Sequence, residues 1–348
     1  MKEARGNPTA RLEGVLLRLR LQHLRMLVAL SESSSIQEAS RRMHLTQSAA
    51  SKLLGDLERA FDTRIFDRGR LGLRATPAGQ ALSRRAARLL RDVEAAREEQ
   101  LLFRHGAATL LRVGGLPLAL ATLMPEVLAR CRDEWPELVL QLREATARPL
   151  LRDVHAGVVD CALGRIVLEE PIESAATDLW LDEMVREELV PVARSNHPLA
   201  GRRRVSPKDL GQFEWVTPAV GSTAHTIFLS ALQRASVVPP RPAVECDASY
   251  GTILAYVRRF GFVGLLPRTI ALREAAVGPL TILKTPLRME LPPIAFICRR
   301  ERIDSPEIAR IHGIARAAAG LDPRGGSAAA AVRGLAVRRG LPVQDFAV

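Results

Sequence analysis

The chain contains no apolar run approaching the roughly 18 residues that a bilayer span requires, and its four cysteines, Cys131, Cys161, Cys246 and Cys298, stand far apart without a CxxC pair. The first lack argues against a membrane protein. The N-terminus, MKEARGNPTARLEGVLLRLR, alternates charge with leucine and offers no clean apolar core for export, so a cytoplasmic location is expected. Scattered thiols in a reducing compartment are expected to be small buried apolar residues, a thiol redox sensor being the alternative. Catalytic signatures are missing as well. The histidines at 23, 44, 105, 155, 197, 225 and 312 form no HExxH, and there is no GxSxG, Walker loop or strand-borne GxGxxG. No catalytic residue, metal or cofactor is therefore expected, and the chain is not expected to be an enzyme.

What is present is a folding composition and an uneven charge. Of 348 residues, 47% are hydrophobic and 25% charged, as in ordinary globular proteins. The net charge is +12. Residues 1–105 carry 20 Lys+Arg against 12 Asp+Glu, and the rest of the chain 30 against 26. Most of the positive excess thus lies in under a third of the chain, as expected where that end meets a polyanion.

Within that basic third, Ser35 to Glu58 (SIQEASRRMHLTQSAASKLLGDLE) reads as two helices and a turn. Ser35 followed by Glu38 predicts a capping box, and Thr46 predicts the cap of the second helix. Ile36, Ala39 and Met43 give the first helix a buried face. Ala50, Leu53, Leu54 and Leu57 give the second an apolar stripe at i, i+3, i+4 and i+7. Gln47, Ser48, Ser51, Lys52 and Gly55 are left facing outward, with one cation and no carboxylate. A helix so equipped suits phosphates and base edges in a major groove, the helix-turn-helix arrangement, although an ordinary amphipathic pair would share the same core pattern. Residues 64–79, RIFDRGRLGLRATPAG, then place Arg64, Arg68, Arg70 and Arg74 around two glycines, which reads as a small basic wing.

Here the sequence resembles the LysR-type transcriptional regulators, in LTQSAASKLLGDLE, FDTRIFDR and ATPAG; Ser48 and Gly55 stand where the family usually has proline and a longer polar residue. Further on, VGGLPLALATLMPEVL, DCALGR, ELVPVARSNHPLA and GFVGLLP carry the same likeness, which covers about residues 19–320. The implied fold is α/β with an all-α N-terminal part: a winged helix-turn-helix (19–76), a linker helix (77–105) and a two-lobed effector domain (107–320) built like a periplasmic solute-binding protein. Its lobe I would combine 107–167 with 268–320, and lobe II would be 168–267. Residues 1–18 read as an N-terminal extension, with disorder as one option, and 321–348, rich in Ala, Gly and Arg, as a disordered tail.

Several expectations follow for binding. Thr76-Pro77 starts a helix whose Leu82, Ala86, Leu89, Val93 and Ala96 form a heptad seam, buried either on its own domain or against a second copy. Pairing would set two recognition helices at the spacing of an interrupted two-fold operator. The resemblance implies a linker-helix homodimer, a homotetramer, nucleoid association and RNA polymerase as a further partner. Double-stranded DNA would be met by Gln47, Ser48, Ser51, Lys52, Arg68 and Arg70, with Gln47 the best placed for a bidentate contact to adenine. After residue 106, strands alternate with helices, predicting a mainly parallel sheet. Helix starts beyond strand ends, at Leu116-Pro117, at Thr146 with Arg148, and at Ser222-Thr223, are the expected contacts for a small organic anion such as an aromatic or sugar acid. By the resemblance, the first two starts line one side of a cleft and the third lines the other. A solute-binding protein or an α/β enzyme is the competing reading. The former leaves the basic module unexplained.

Overall fold

The computed structural model describes residues 19–69, 72–103, 109–165, 178–246 and 250–322. They fall into two compact bodies, one holding the chain to Thr109 with Ala156–Val158, the other Leu110–His155 and the chain from Val159. The expected N-terminal extension and the tail beyond Asp322 lie outside the described residues, as does Arg70.

In the first body α1 (Leu21–Ser31), α2 (Ile36–Arg42) and α3 (Gln47–Phe61) are followed by the hairpin β1 (Phe66–Gly69) and β2 (Gly72–Ala75), then by α4 (Pro77–Phe103). The Ser35 hydroxyl caps α2 by accepting from the Glu38 N–H at 3.1 Å. The other half of the expected box shifts by one residue: Glu38 Oε2 accepts from the Ser34 N–H at 2.8 Å and from the Ser34 hydroxyl at 3.0 Å. These bonds, with Arg42 beside them, hold the Glu38 carboxyl below the usual carboxylate range. His44 sits at φ 55°, in the left-handed region that closes the turn, and its neighbour Thr46 caps α3 by accepting from the Ala49 N–H at 3.2 Å. Ala50, Leu54 and Leu57 are buried against Met26, Leu27, Leu30, Ile36 and Ala39.

The ATPAG segment explains itself in atoms. Thr76 accepts from the Gly79 N–H at 3.0 Å, while its own hydroxyl reaches the Arg64 carbonyl at 2.9 Å. Pro77 occupies the first helical position, where no N–H is required. At Gly79 a Cβ would stand 2.0 Å from the Ile65 carbonyl oxygen, so only glycine lets α4 leave the sheet this closely. Gly72, at φ +94°, plays the same part in the wing, whose Leu73 N–H donates to the Ser34 carbonyl at 2.9 Å.

The second body is an eight-strand path, β4-β3-β5-β11-β6-β9-β7-β8, with β10 on the side of β6. In chain order its elements are β3 (Thr109–Gly115), α5 (Pro117–Thr122), α6 (Met124–Glu134), β4 (Leu138–Glu144), α7 (Ala147–Ala156), β5 (Cys161–Gly164) and β6 (Leu179–Arg194). There follow α8 (Pro207–Leu210), β7 (Trp215–Pro218), α9 (Thr223–Arg234), β8 (Pro242–Cys246), α10 (Tyr250–Phe260), β9 (Val263–Pro267), α11 (Arg268–Val277), β10 (Leu280–Ile282), β11 (Glu290–Arg299) and α12 (Pro306–Ala318).

Two features differ from the sequence expectation. The sheet is mixed: β3–β5, β7–β8 and β7–β9 run parallel, but β6 and β11 cross it antiparallel. The lobes also change over inside β6. Its Leu179–Asp182 pair with Phe296–Arg299, its Leu189–Val192 pair with β9, and Val192–Arg194 pair with β10. Of the residues expected in lobe I from 268, Leu283 and Met289 are buried with Trp215 and Phe228 in a separate core, whereas Ile270, Ala271 and Leu280 lie in the larger core with Leu111 and Cys161. Return to lobe I happens along β11. There Pro292 and Pro293 have no N–H for the ladder, and the register shifts between Leu291 and Ala295.

A buried polar cluster fastens α12 to β6. Asp182 accepts from His312 Nε2 at 2.9 Å and pairs with Arg316, while His312 stands edge-on to Trp180 with ring centroids 4.8 Å apart. Burial lowers the imidazole's pKa although the Asp182 carboxylate pulls it the other way. Cys161 and Cys298 face each other across β5 and β11, both buried. Burial raises the Cys161 thiol and pushes that of Cys298 up to about 12, which disfavours the thiolate at both positions.

Candidate DNA-binding and effector sites

On α3 the outward residues separate from the core stripe as periodicity requires. Gln47, Ser48 and Lys52 are exposed, Ser51 and Gly55 half-buried, and the first turn carries no acid. Around Gly55 the space is open, with no atom within 4 Å of where a Cβ would sit. Gly55→Ala should therefore stabilise the first body by about 0.5–1 kcal/mol, the usual cost of glycine in a helix interior. A thermal melt showing destabilisation would mean that the face is covered. Arg64 and Arg74 are exposed at the wing; Arg70 and the side chain of Arg68 lie outside the described residues.

On α4, Leu82 and Ala86 pack with α1, and the Ser83 hydroxyl donates to the Leu27 carbonyl at 3.3 Å. Further along the same seam Leu89 is 51% and Val93 50% exposed, and Ala96 is exposed too. The seam is thus divided: its first turns serve their own domain, and the next turns lie bare within one chain.

In the second body three strand ends converge. The Leu116 N–H donates to the Leu163 carbonyl at 3.0 Å, and the Ala145 N–H donates to the Gly115 carbonyl at 3.1 Å. The ends of β3, β4 and β5 are thereby brought together with Thr146, which is exposed, as is Arg148. Leu116 is buried and its N–H is spent on β5, and Pro117 has none, so neither of these two residues itself offers a free N–H to an anion. Ser222 and Thr223 stand beyond β7 in the other lobe, where the Ser222 hydroxyl caps α9 by accepting from the His225 N–H at 3.1 Å.

The sequence reading missed a set of charges at the same strand ends. Arg165 follows Gly164 directly. Its Nε donates to the Pro292 carbonyl at 2.6 Å, and its Nη2 is buried without a hydrogen-bond partner. Burial lowers the guanidinium pKa, while Tyr250 and Glu187 lie near enough to oppose that shift. Burial also raises the Tyr250 hydroxyl, with Arg165, Glu187 and Glu144 all acting on it. Glu187 is buried, its carboxylate accepting from the Glu188 N–H at 3.0 Å and the Thr269 N–H at 3.3 Å. The one local signal was an arginine directly after a fully buried strand, in DCALGR. Among the described residues no group of His, Cys, Asp and Glu could hold a metal ion, and no helix is long and apolar enough to cross a membrane.

Known proteins agree with this division. Residues 21–80 match the model of the bacterial regulatory helix-turn-helix protein, lysR family, and residues 104–320 that of the LysR substrate binding domain. The HTH-type transcriptional regulator GbpR of Azospirillum brasilense is 30% identical over 292 residues, covering 83% of each chain. Among solved structures, ArgP from Mycobacterium tuberculosis aligns with a TM-score of 0.57 at 23% identity over 86% of this chain and 97% of that one. A full-length variant of OxyR from Pseudomonas aeruginosa aligns at 0.55 and 19% identity, over 87% and 95%. With a helix-turn-helix and wing at one end, an effector-type α/β domain at the other, and both family models matched in that order, this chain belongs to the LysR family of DNA-binding transcriptional regulators.

Proposed function

We propose that the chain binds a promoter or operator with two-fold half-sites as a homodimer joined through α4, and that a small organic anion held between the lobes modulates that binding or the activation that follows from it. The observation that carries the DNA reading is the two-sided character of α3: a buried leucine stripe behind, and exposed Gln47, Ser48 and Lys52 in front. Gln47 reads a base, Ser48 and Ser51 meet a base edge or phosphate, and Lys52, with Arg68 and Arg70 of the wing, meets the backbone. In competition binding against single-base operator variants, Gln47→Ala should flatten preference at one position by about 1–3 kcal/mol. Lys52→Ala should weaken every sequence alike and reduce the salt slope by about one ion. The reverse pattern would exchange the two roles.

The bare part of the α4 seam supports pairing with a second copy. Val93→Glu should yield monomers in sedimentation at micromolar concentration and lose affinity for the full operator, while leaving the melting of the first body unchanged. A dimer that persists would exclude this seam. Assembly to a tetramer, contact with RNA polymerase and action at the nucleoid extend the same reading.

For the effector, Thr146 and Arg148 on one lobe and Ser222 and Thr223 on the other supply hydroxyls and charge, with Leu116 and Pro117 as an apolar edge. The ligand must bind one lobe arrangement more tightly than another, since equal affinity shifts nothing.

A further inference from the structure

A buried guanidinium normally finds acceptors for its N–H groups, because leaving them bare costs free energy that its remaining bonds must offset. Arg165 departs from that rule in a telling place. Its Nε is spent on the Pro292 carbonyl, but Nη2 is buried with no hydrogen-bond partner. No carboxylate lies within ion-pair distance of it among the described residues, although Glu187 is near. That carboxylate is already held by the N–H groups of Glu188 and Thr269. Arg165 stands where β5 ends, beside the converging ends of β3 and β4, with Tyr250 of α10 close by. Elsewhere in this body a buried arginine does meet its carboxylate, as Arg316 meets Asp182. Arg165 is thus a cation held in place and left short of an anion.

We propose that Arg165 anchors the carboxylate of the effector, and that the neighbouring Glu144 and Glu187 restrict that effector to a singly charged acid carrying hydroxyl groups. The proposal rests on the reading of the inter-lobe cleft as the effector site. A carboxylate on Arg165 gives the buried Nη2 the acceptor it lacks, in a charge-assisted bond. Beyond it, two glutamates offer acceptors only. They welcome hydroxyl donors and repel a second negative charge, so a dicarboxylate or a phosphate dianion is excluded by like-charge repulsion.

The test is calorimetry on the full-length protein with D-gluconate, L-lactate, succinate, inorganic phosphate and uncharged glucose as probes. Gluconate or lactate is expected to bind, and the other three are not. Arg165→Gln should weaken that binding roughly 10–100-fold, the loss of a charge-assisted contact. Arg165→Lys should recover part of it. Melting of each variant in the absence of probe checks that the fold survives. Thr146→Val separates the two layers of the reading. If it weakens binding while Arg165→Gln does not, the cleft stands and the Arg165 anchor falls. If neither variant changes binding, the cleft reading falls with it. Binding of succinate or phosphate in preference to the hydroxy acids, or of no carboxylate in the set, overturns the proposal.

Discussion

Gly79→Ala is expected to cost the first body about 3 kcal/mol, at the upper end of overpacking penalties, and with it most of the operator binding. The added methyl would meet the Ile65 carbonyl oxygen at 2.0 Å, and that oxygen belongs to the backbone, so no rotamer can yield. Relief requires α4 to move outward. That movement stretches the Thr76 N–H bond to the Ile65 carbonyl at 3.0 Å and the cap on Gly79. Chemical denaturation of the full chain should show an early transition that the parent lacks, reported by loss of DNA binding. Gly55→Ala, also a helical glycine in this body, is the internal control, because its methyl enters open space and should act in the opposite direction. Equal effects at the two positions would refute the steric account.

Asp182→Asn is expected to have the largest effect in the second body, about 3–5 kcal/mol, because one carboxylate serves two buried partners. Without its charge, Arg316 is left as an uncompensated cation, and the single amide oxygen is a weaker, neutral acceptor that His312 and Arg316 must share. A urea titration followed by Trp180 and Trp215 fluorescence reads the loss as a lower midpoint at unchanged slope. The same cluster sets a pH dependence. The folded pKa of His312 lies below its ordinary 6.5, so the unfolded chain takes up the proton first. Its contribution is full above about pH 6.5 and declines as the pH falls toward the lowered value. His312→Gln should remove that part of the acid-side slope; a parent and variant with parallel slopes would assign the dependence elsewhere.

These two sites also mark where the sequence was readable. The helix pair declared itself because its caps and its leucine stripe are local signals that agree, and Ser35, Thr46, Ala50, Leu54 and Leu57 behave as their spacing requires. Strands such as Leu110–Val113 and Phe262–Pro267 were visible as short apolar runs ended by glycine or proline. The first half of β6 was not. LWLDEMVREE carries four acids in ten residues, and alternation fails because Asp182 and Glu187 are buried, the first satisfied by His312 and the second in part by Thr269, both far away in sequence. That hidden half is what makes β6 one strand that pairs with β11 at its start and with β9 and β10 at its end. Arg165 was missed for a related reason: its lack of a partner is a property of three-dimensional surroundings, which DCALGR by itself does not announce. At Leu116 the sequence did not announce that the N–H is committed to β5.

The paired prolines of β11 acquire a mechanical meaning once Arg165 is considered with them. Two prolines and a register shift interrupt the pairing of β11 with β6, in the stretch where β11 passes from the β9 side of the sheet to β5. Arg165 grips the carbonyl of Pro292 itself, at that gap. A ligand held by this guanidinium would therefore sit one hydrogen bond away from the break in the ladder.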